Sequence, residues 1–376
     1  MNSRSDRLIG RITMIRNEAV RFKVRRNGAE YGEIFPANNS APQLRADSKS
    51  QIKMSLRGTF LQLAFDSRGN TVEVDWLNDE IEPVLVINQE EYPLGVLMIA
   101  TVKYKTGTPS TVDVEAYDRS WRVKDTRKAS TVYFSAGTLY LDAVEALLVE
   151  SGIENIARTE TTSVLTEDRE DWEAGTSNLE IVNALLSEIN YNELWFNQTG
   201  VAVLQPKKSA EAANIQHIFM DKKPDPRNPK EVGIVSLSPE RSKKVDLYNS
   251  PNVIICICSN ADKSGPMVAM AENMNTNNPL SIPRRGRRIT STISVSNIAS
   301  QEALQAYAEQ KVTESIMTGE AISVKTQLQP GFGIGDVTAL QTEEVTGVCI
   351  EKAWTMELRS GGTMTHELER VVYNIG

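Results

Sequence analysis

Short runs of alternating apolar and polar residues recur along this 376-residue chain and favour a fold rich in strands. Ile52, Met54 and Leu56 alternate with polar residues, which is the period of a strand with one solvated face. Further runs of this kind lie at residues 71–74, 84–88, 94–103 and 111–117. Because short polar or Pro/Gly breaks separate them, these runs predict an antiparallel barrel or sandwich in an N-terminal β domain, residues 1–118.

The first fifty residues carry a weaker strand pattern. Residues 8–15 and 20–24 alternate, and Asn27-Gly28 marks a turn. This predicts strands plus an arm. The pattern leaves open whether the arm joins the first barrel or reaches another subunit.

Helical spacing is found in the middle of the chain. A helix is predicted to begin after a cap at Thr138 and to stop at Gly152. A second helix begins with the capping box Ser177-x-x-Glu180 and leads into a hairpin at residues 193–204. These elements predict a small α+β insertion domain at residues 119–220.

Residues 221–230 read DKKPDPRNPK, with three prolines and no apolar side chain. Such a composition predicts a linker and a domain boundary. Residues 231–376 then return to alternating strands, with a hairpin turn at Ser360-Gly-Gly362. The predicted fold class is α+β, mainly β, with two β-barrel or β-sandwich domains that flank the insertion.

One helix is predicted inside the second β domain, at residues 300–316, with Ser300 as its cap. It stands between alternating strands at residues 290–296 and 321–328. Lys311 interrupts its apolar stripe, so the helix is expected to lie on a sheet with one edge exposed to solvent. The strand, helix and strand are expected to form one unit.

The chain shows no pattern for insertion into a membrane. Its longest apolar runs, residues 96–100 and 253–258, are about a third of the length that a spanning helix needs. Arginines interrupt the first eighteen residues, so a secretory signal is not expected either. Three cysteines are too few for a disulfide framework, and Cys256 and Cys258 are expected to be free thiols.

The net charge of −8 is unevenly distributed. Residues 1–60 hold twelve Lys/Arg against five Asp/Glu, whereas residues 141–200 hold thirteen acids and two bases. Such a separation is typical of proteins that dock on complementary protein surfaces. The alternative is that both regions are ordinary solvated faces.

Catalytic chemistry is sparsely represented. His217 and His366 lie far apart, and neither is expected to have a Cys or acidic partner, which argues against a zinc or nucleophile site. Residues 167–173 (EDREDWE) contain the two carboxylates that glycoside hydrolysis requires, but nothing holds them in a cleft. We interpret that run as a solvated or partner-facing loop between two helices, and we expect no catalytic residue, cofactor or metal.

Two glycine- or arginine-rich stretches remain. Gly331-x-Gly333-x-Gly335 precedes a strand, whereas a dinucleotide fingerprint precedes a helix, so a turn or bulge is predicted there. Arg284, Arg285, Arg287 and Arg288 form one basic loop without interleaved aromatic residues, which is a weak nucleic-acid signal. We predict that this loop lies at a subunit interface, where an acidic patch of a neighbouring chain is one candidate partner.

Together these segments resemble the tail hub, or baseplate hub, family of bacteriophages and phage-derived contractile particles. The segments that carry the resemblance are residues 92–95 with the strand after them, 112–118, the helix from Thr138, the helix and hairpin ending at residue 204, Asn278-Pro279 with Gly286-Arg287, the Ser300 helix and Gly335-Asp336. They are spread from about residue 51 to the C-terminus.

The resemblance implies a homotrimer in which each chain contributes two tube-like β domains. Three chains would then present a pseudo-sixfold ring to the hexameric tail tube, while the opposite face receives a spike or tip protein. It also implies contacts with other baseplate proteins, passage of the tape-measure protein, and DNA only as passing cargo. The expected location is a virion or phage-tail-like particle assembled in the host cytoplasm.

The leading hypothesis is therefore a non-enzymatic symmetry adaptor. A cell-wall-degrading or carbohydrate-binding tail-tip module is the first alternative, and a tail tube subunit is the second. They differ in behaviour, because a hub forms closed trimers, an enzyme lyses cell wall, and a tube subunit polymerises without end.

Overall fold

The computed structural model describes residues 16–37, 40–208, 211–221, 234–244, 251–258, 266–295, 301–317 and 320–370. Strands dominate these residues, which also form five α-helices and one 3-10 helix (Ala212–Asn214). This confirms the predicted α+β, mainly β, fold class. The linker predicted at residues 221–230 lies, apart from Asp221, outside the described residues, as does the predicted cap Ser300.

A closed antiparallel barrel forms the N-terminal part. Its strands are β1 (Glu18–Arg26), β2 (Ala29–Pro36), β3 (Gln43–Asp47), β4 (Met54–Phe65), β5 (Thr71–Val72), β6 (Glu80–Ile87), β7 (Glu90–Pro93), β8 (Leu97–Lys105) and β9 (Thr111–Tyr117). Strands β1, β2, β4, β9, β8 and β6 follow one another around the ring, and each neighbouring pair is antiparallel. Of the two architectures predicted from the alternating runs, barrel or sandwich, the chain forms the barrel.

The period-two pattern places one face of each strand inside this barrel. Phe22 and Val24 of β1 are buried, and the rings of Phe22 and Phe60 meet edge to face at 5.1 Å between centroids. Asn27 and Gly28 connect β1 to β2 with φ angles of 52° and 78°. Positive φ at both positions is the geometry of a type I′ hairpin turn, as Asn-Gly predicts.

The middle of the chain forms a separate α+β layer with its own core. Its elements are α1 (Ser120–Asp125), β10 (Val132–Phe134), α2 (Tyr140–Glu150), β11 (Ile156–Arg158), β12 (Arg169–Trp172), α3 (Asn178–Glu188), β13 (Trp195–Phe196) and β14 (Ala202–Leu204). Strands β13 and β14 form the predicted hairpin. Buried Leu147 and Leu185 belong to the core that α2 and α3 share.

The caps of the two insertion helices differ from each other. Ser177 accepts a hydrogen bond from the backbone N–H of Glu180 at 3.2 Å, which confirms the predicted cap of α3. The cap predicted at Thr138 is wrong, because Leu139 occupies that position and provides no side-chain oxygen. The Thr138 hydroxyl contacts that of Ser135 instead.

A second ring of strands lies in the C-terminal part. The elements there are β15 (Ile215–Met220), β16 (Ile234–Ser236), β17 (Arg241–Lys244), β18 (Val253–Cys258), β19 (Met267–Glu272), α4 (Ile282–Arg285), β20 (Thr290–Val295), α5 (Gln301–Met317), β21 (Glu320–Gln327), β22 (Val337–Gln341), β23 (Thr346–Glu357) and β24 (Thr363–Arg370). The second ring runs β16, β15, β22, β23, β24, β21 and β17.

One bent segment, residues 234–244, closes this second ring. Its first half, β16, pairs with β15, and its second half, β17, pairs with β21. Between them the N–H of Leu237 donates to Met220 and the N–H of Ser238 donates to Lys325, at 2.9 and 2.8 Å. The segment therefore passes from one side of the ring to the other.

Strand β3 joins the two rings because it pairs on both of its edges. Ala46 lies opposite Met54 in β4 and opposite Trp354 in β23. A single hydrophobic cluster accordingly contains Phe60 of the first ring and Leu368 of the second. The two rings share one continuous sheet and one core.

The predicted domain division at residues 1–118, 119–220 and 231–376 stays a prediction. Strand β15, which the sequence interpretation assigned to the insertion, pairs with β22 of the second ring. The insertion core is made of residues 123–204.

The predicted helix α5 lies on a separate three-stranded sheet of order β19, β18, β20. Leu304, Ala308 and Val312 are buried against that sheet, while Lys311 reaches Glu314 at 2.6 Å. The expectation of a helix on a sheet surface is confirmed. The expectation of a single strand, helix and strand unit is wrong, because β20 and β21 belong to different sheets.

Polar contacts hold the insertion against both rings. The buried Lys53 ammonium of the first ring lies 2.5 Å from a Glu193 carboxylate oxygen. Arg119 binds Glu80 through two hydrogen bonds of 2.9 and 2.8 Å, a bidentate geometry that fixes orientation. On the other side, the Gln198 amide donates to the carbonyl of Phe332 at 3.1 Å.

Asp118 is the buried polar group at the point where the first ring meets the insertion. One carboxylate oxygen accepts the N–H of Met54 at 2.6 Å, and the other accepts the N–H of Ser120 at 2.8 Å. Burial raises the pKa of Asp118, although these hydrogen bonds oppose the shift. The side chain therefore ties β4 to the first turn of α1.

Both histidines lie in one buried cluster of the second ring. His366 contacts Glu351 at 2.9 Å, and His217 contacts Asp336 at 3.0 Å. The Phe332 ring lies between them, with centroids 3.9 Å from His217 and 4.8 Å from His366. The histidines thus have acidic partners that are distant in sequence, which corrects the view that they lack any.

The two carboxyl groups of this cluster are shifted in opposite directions. Burial raises the pKa of Glu351, and the charge of His366 only partly offsets that effect. Burial would also raise the pKa of Asp336, but the hydrogen bond and charge of His217, together with the Gly333 N–H, lower it below its ordinary 3.8.

We predict that Asp118→Ala destabilises the chain. The N–H groups of Met54 and Ser120 lose their acceptor, which costs about 2 kcal/mol of unfolding free energy. Denaturant titration followed by circular dichroism measures the change. Asp125→Ala removes an exposed carboxylate in the same region and is the control; an equal loss in both variants would contradict the role of Asp118.

We predict that the stabilising effect of Asp336 depends on pH. Because its folded-state pKa is lowered, the ionised form stabilises the fold above pH 3.8, and this contribution is lost as the pH falls through the folded-state pKa. Asp336→Asn should therefore lower the unfolding free energy at pH about 5, and this effect should diminish as the pH falls through the lowered folded-state pKa. Asp125→Asn serves as control, and an Asp336→Asn effect that persists in acid would contradict the prediction.

Candidate interaction surfaces

The arginine cluster, residues 284–288, lies at one end of the three-stranded sheet. Arg284 and Arg285 form the last turn of the short helix α4, and Gly286 ends that helix with a φ of 63°. Arg287 and Arg288 then lead into β20. The predicted loop is therefore partly helical, and the glycine supplies the left-handed conformation that stops the helix.

One buried side chain, Asn252, fixes the backbone on both sides of the cluster. Its amide nitrogen donates to the carbonyls of Leu280 and Arg287 at 3.2 and 3.0 Å. Its oxygen accepts the N–H of Ile289 at 2.7 Å. Since Asn252 itself is fully buried at the start of β18, the arginines are carried on a rigid support.

Positive charge is crowded in the arginine cluster. Arg288 pairs with Glu272 at 2.5 Å. Burial and then repulsion from Arg287 lower the pKa of Arg285. Arg284 and Arg287 are exposed. The cluster therefore presents a surplus of positive charge to solvent, on a surface that an anionic partner would fit.

A groove lined by methionines lies beside the cluster, between β19 and α5. Its volume is about 460 Å³, which is within the range of small-ligand sites. Met270 and Met274 line this methionine groove and are 48% and 57% exposed. Methionine side chains adapt to irregular partners, so such a groove suits a protein surface.

The edge of β19 that faces the methionine groove is already occupied by side chains of α5. Gln301 donates to the carbonyl of Val268 at 2.9 Å, and Gln305 donates to the carbonyl of Met270 at 3.1 Å. A covered edge does not accept a further strand. The methionine groove, with its volume of about 460 Å³, therefore offers side chains to a partner.

The acidic groove lies on the exposed side of α2 in the insertion and has a volume of about 660 Å³. Asp142, Glu145 and Val149 line it, and Val149 is 52% exposed. Arg158 contacts Asp142 and Glu145 at 2.8 and 2.9 Å and also pairs with Glu160 at 2.9 Å. One guanidinium thus faces three carboxylates, which leaves negative charge in excess.

The acidic run at residues 167–173 has a structural role in the described chain. Part of it is strand β12, which pairs with β10, so its interpretation as a loop was wrong. Asp168 accepts the N–H of Ala136 at 2.8 Å, and Asp171 pairs with Arg169. These contacts use the carboxylates to hold the strand and its neighbouring turn.

Ion pairs within the first barrel neutralise much of the described N-terminal positive charge. The pairs are Arg21 with Glu33 and Glu91, Lys23 with Glu30 and Glu91, Arg25 with Glu82, and Arg26 with Asp79. Glu30 and Glu33 lie on β2, Glu82 on β6 and Glu91 on β7, while Asp79 directly precedes β6. For residues 16–60 this favours a paired, solvated face over a basic docking surface.

The glycine-rich stretch before β22 is a turn, as predicted. Gly331 and Gly335 have φ angles of 89° and 79°, which residues other than glycine rarely adopt. The N–H of Gly333 donates to Asp336 at 2.7 Å. A strand follows, so no helix N-terminus is available here for a phosphate.

Among the described residues, no group of three or more His, Cys, Asp and Glu is placed to hold a metal ion. Cys256, Cys258 and Cys349 are buried free thiols, as expected for the first two. No helix in the described ranges has both the length and the apolar character needed to cross a membrane.

The methionine groove and the acidic groove were missed from the sequence. In β19 the small residues Ala269 and Ala271 face α5, while the larger Val268 and Met270 face solvent. An alternating pattern shows that two faces differ, but apolar residues on both faces conceal which one is buried. The acidic groove had one signal, the excess of acids in residues 141–200.

Comparison with known proteins gives structural neighbours only. No protein-family model and no curated protein matches this sequence. A tail protein from Neisseria meningitidis aligns with a TM-score of 0.68 at 13% identity, covering 94% of this chain and 97% of its own. The 43 kDa tail protein of prophage MuSo2 from Shewanella oneidensis aligns with a TM-score of 0.63 at 11% identity, covering 94% and 98%.

A third neighbour comes from a secretion system. It is an Escherichia coli component of the type VI secretion system, described as structurally similar to the T4 bacteriophage tail proteins gp27 and gp5. Its TM-score is 0.52 at 8% identity, with 94% of this chain and 78% of that chain covered. The chain described here has the fold of these phage tail and hub-type proteins.

Proposed function

We propose that this chain is a structural hub of a phage tail or phage-derived particle, which assembles as a homotrimer and joins the hexameric tail tube to the central spike or tip. The observation that carries the proposal is the pair of strand rings that β3 joins within one chain. Three such chains supply six rings, the number that a hexameric tube needs at its end.

The structural neighbours support the same proposal. Two of them are tail proteins, and the third belongs to a secretion system and resembles gp27 and gp5. Each aligns over more than nine tenths of this chain. We therefore extend the proposed partners to the tube protein, the spike or tip protein, the tape-measure protein and other baseplate proteins, with DNA only as passing cargo.

The proposed hub is not an enzyme. Two carboxylates of residues 167–173 make structural contacts, since Asp168 accepts the N–H of Ala136 and Asp171 pairs with Arg169. The net charge of −8 suits a channel wall that repels a passing DNA backbone. A cell-wall enzyme and an open-ended tube subunit remain the competing functions, and each predicts a different behaviour.

The arginine cluster is proposed to lie at the interface between subunits. Asn252 holds its backbone, and Arg284 and Arg287 project their charges into solvent. Arginine is well suited to bind carboxylates, because its planar group forms paired hydrogen bonds. A neighbouring chain supplies the carboxylates in this proposal.

We predict that the purified full chain forms a closed trimer, with three times the 41.7 kDa chain mass and a central hole. Light scattering measures the mass, and negative-stain electron microscopy shows the ring. A monomer or an open-ended polymer would contradict the hub assignment. So would cell-wall lysis that is lost when Glu167, Asp168, Glu170 and Asp171 are replaced.

We predict that Arg284→Glu combined with Arg287→Glu weakens the trimer. Reversed charges at a charged interface are expected to raise the dissociation constant about tenfold or more. Analytical ultracentrifugation over a concentration series gives the constant, and thermal unfolding verifies the fold. Arg68→Glu, at an exposed hairpin tip, is the control; equal assembly of all three proteins would refute the interface.

A further inference from the structure

We infer that the arginine cluster and the methionine groove of one chain dock into the acidic groove of a second copy. The inference rests on the proposed function and specifies which surfaces meet. It concerns two surfaces on different parts of the fold, the end of the three-stranded sheet and the exposed side of α2. The occupant of the acidic groove is therefore another copy of this chain.

The arginine cluster and the methionine groove form one continuous surface. Glu272 ends β19 and contacts Arg288 at 2.5 Å, which joins the end of the groove to the cluster. The N–H of Ile282 in α4 donates to the carbonyl of Asn273 at 3.0 Å, which holds the helix against the chain that follows β19. Met274 comes directly after this contact, so exposed apolar and basic side chains are adjacent.

The acidic groove is complementary to this surface in charge. The single guanidinium of Arg158 pairs with three carboxylates, those of Asp142, Glu145 and Glu160. Guanidinium groups from a neighbouring chain would therefore balance the remaining negative charge. All three carboxylates are at least 43% exposed, which makes them accessible to a partner. Approach of opposite charges steers association and selects the orientation.

The two surfaces are also complementary in their apolar parts. Val149 is 52% exposed on α2, and Met274 is 57% exposed beside the arginines. Burial of such side chains supplies the binding energy that solvated charges lack, because exposed ion pairs contribute little by themselves. Each surface therefore combines an apolar centre with charges of one dominant sign.

The ion pairs of Arg288 and of Arg158 each lie within a single one of the two surfaces. Arg288 contacts Glu272, and Arg158 contacts the carboxylates beside α2. Because the two surfaces are different, the contact between copies is head to tail. Such a contact closes into a ring when its rotation is one third of a turn, which is the symmetry that the proposed trimer requires.

A charge swap in the full chain tests the contact. Arg284→Glu with Arg287→Glu reverses the first surface, and Asp142→Lys with Glu145→Lys reverses the second. Each pair alone should weaken the trimer about tenfold or more, whereas the four changes together should restore it to within about threefold of the wild type. Sedimentation over a concentration series measures all four proteins.

A second pair of substitutions, which removes charge without reversing it, distinguishes a loss of assembly from misfolding next to Arg158. Asp142→Asn with Glu145→Gln removes charge with little change of shape, and it should weaken the trimer without lowering the thermal unfolding temperature. Arg68→Glu, away from both surfaces, should leave assembly unchanged. Trimers that resist this amide pair would overturn the inference.

The remaining outcomes separate the inference from the proposed function. If both charge reversals dissociate a folded trimer and the combined protein does not recover, the surfaces do not meet each other, and only the inference fails. If the wild-type chain is not a trimer, the proposed function fails with it. If the trimer is indifferent to all changes while Arg284→Glu with Arg287→Glu abolishes retention of a DNA duplex, the arginines serve a polyanion and the inference is wrong.

Discussion

The pairing of β3 on both of its edges is the constraint on which the two rings depend. A five-residue strand lies between β4 and β23, and its buried residues Leu44 and Ala46 face a core that both rings share. Relative rotation of the rings would break main-chain hydrogen bonds and expose apolar surface together. The rings are therefore fixed to each other.

The insertion is fixed by a different kind of interaction. Buried polar groups, including Lys53 and Asp118, have specific partners across the boundary. Such groups add little net stability when paired but are costly when unpaired. They consequently define one orientation of the insertion against the first ring, which apolar packing alone would specify less sharply.

The strand content and the antiparallel β character of the N-terminal part were predictable from the sequence, because the period of two is local and strong. So were the Asn27-Gly28 turn, the Ser177 cap and the surface position of α5. Ring closure, the double pairing of β3 and the partners of His217 and His366 were not, since they join residues distant in the chain. For the candidate surfaces, the arginines stood out in the sequence, whereas the methionine groove required knowledge of which face of β19 is covered.

The two rings differ in how they close, and this difference bears on assembly. The first ring closes through antiparallel pairs alone, whereas the second uses the bent segment 234–244 and the parallel pair of β15 with β22. Neighbours around a ring of six would then alternate between unlike units. A symmetric trimer has two kinds of contact, one within a chain and one between chains. In the proposed trimer, the pairing of β3 fixes the first contact within the chain, so surface chemistry has to select only the second, and charge complementarity is the proposed source of that selection.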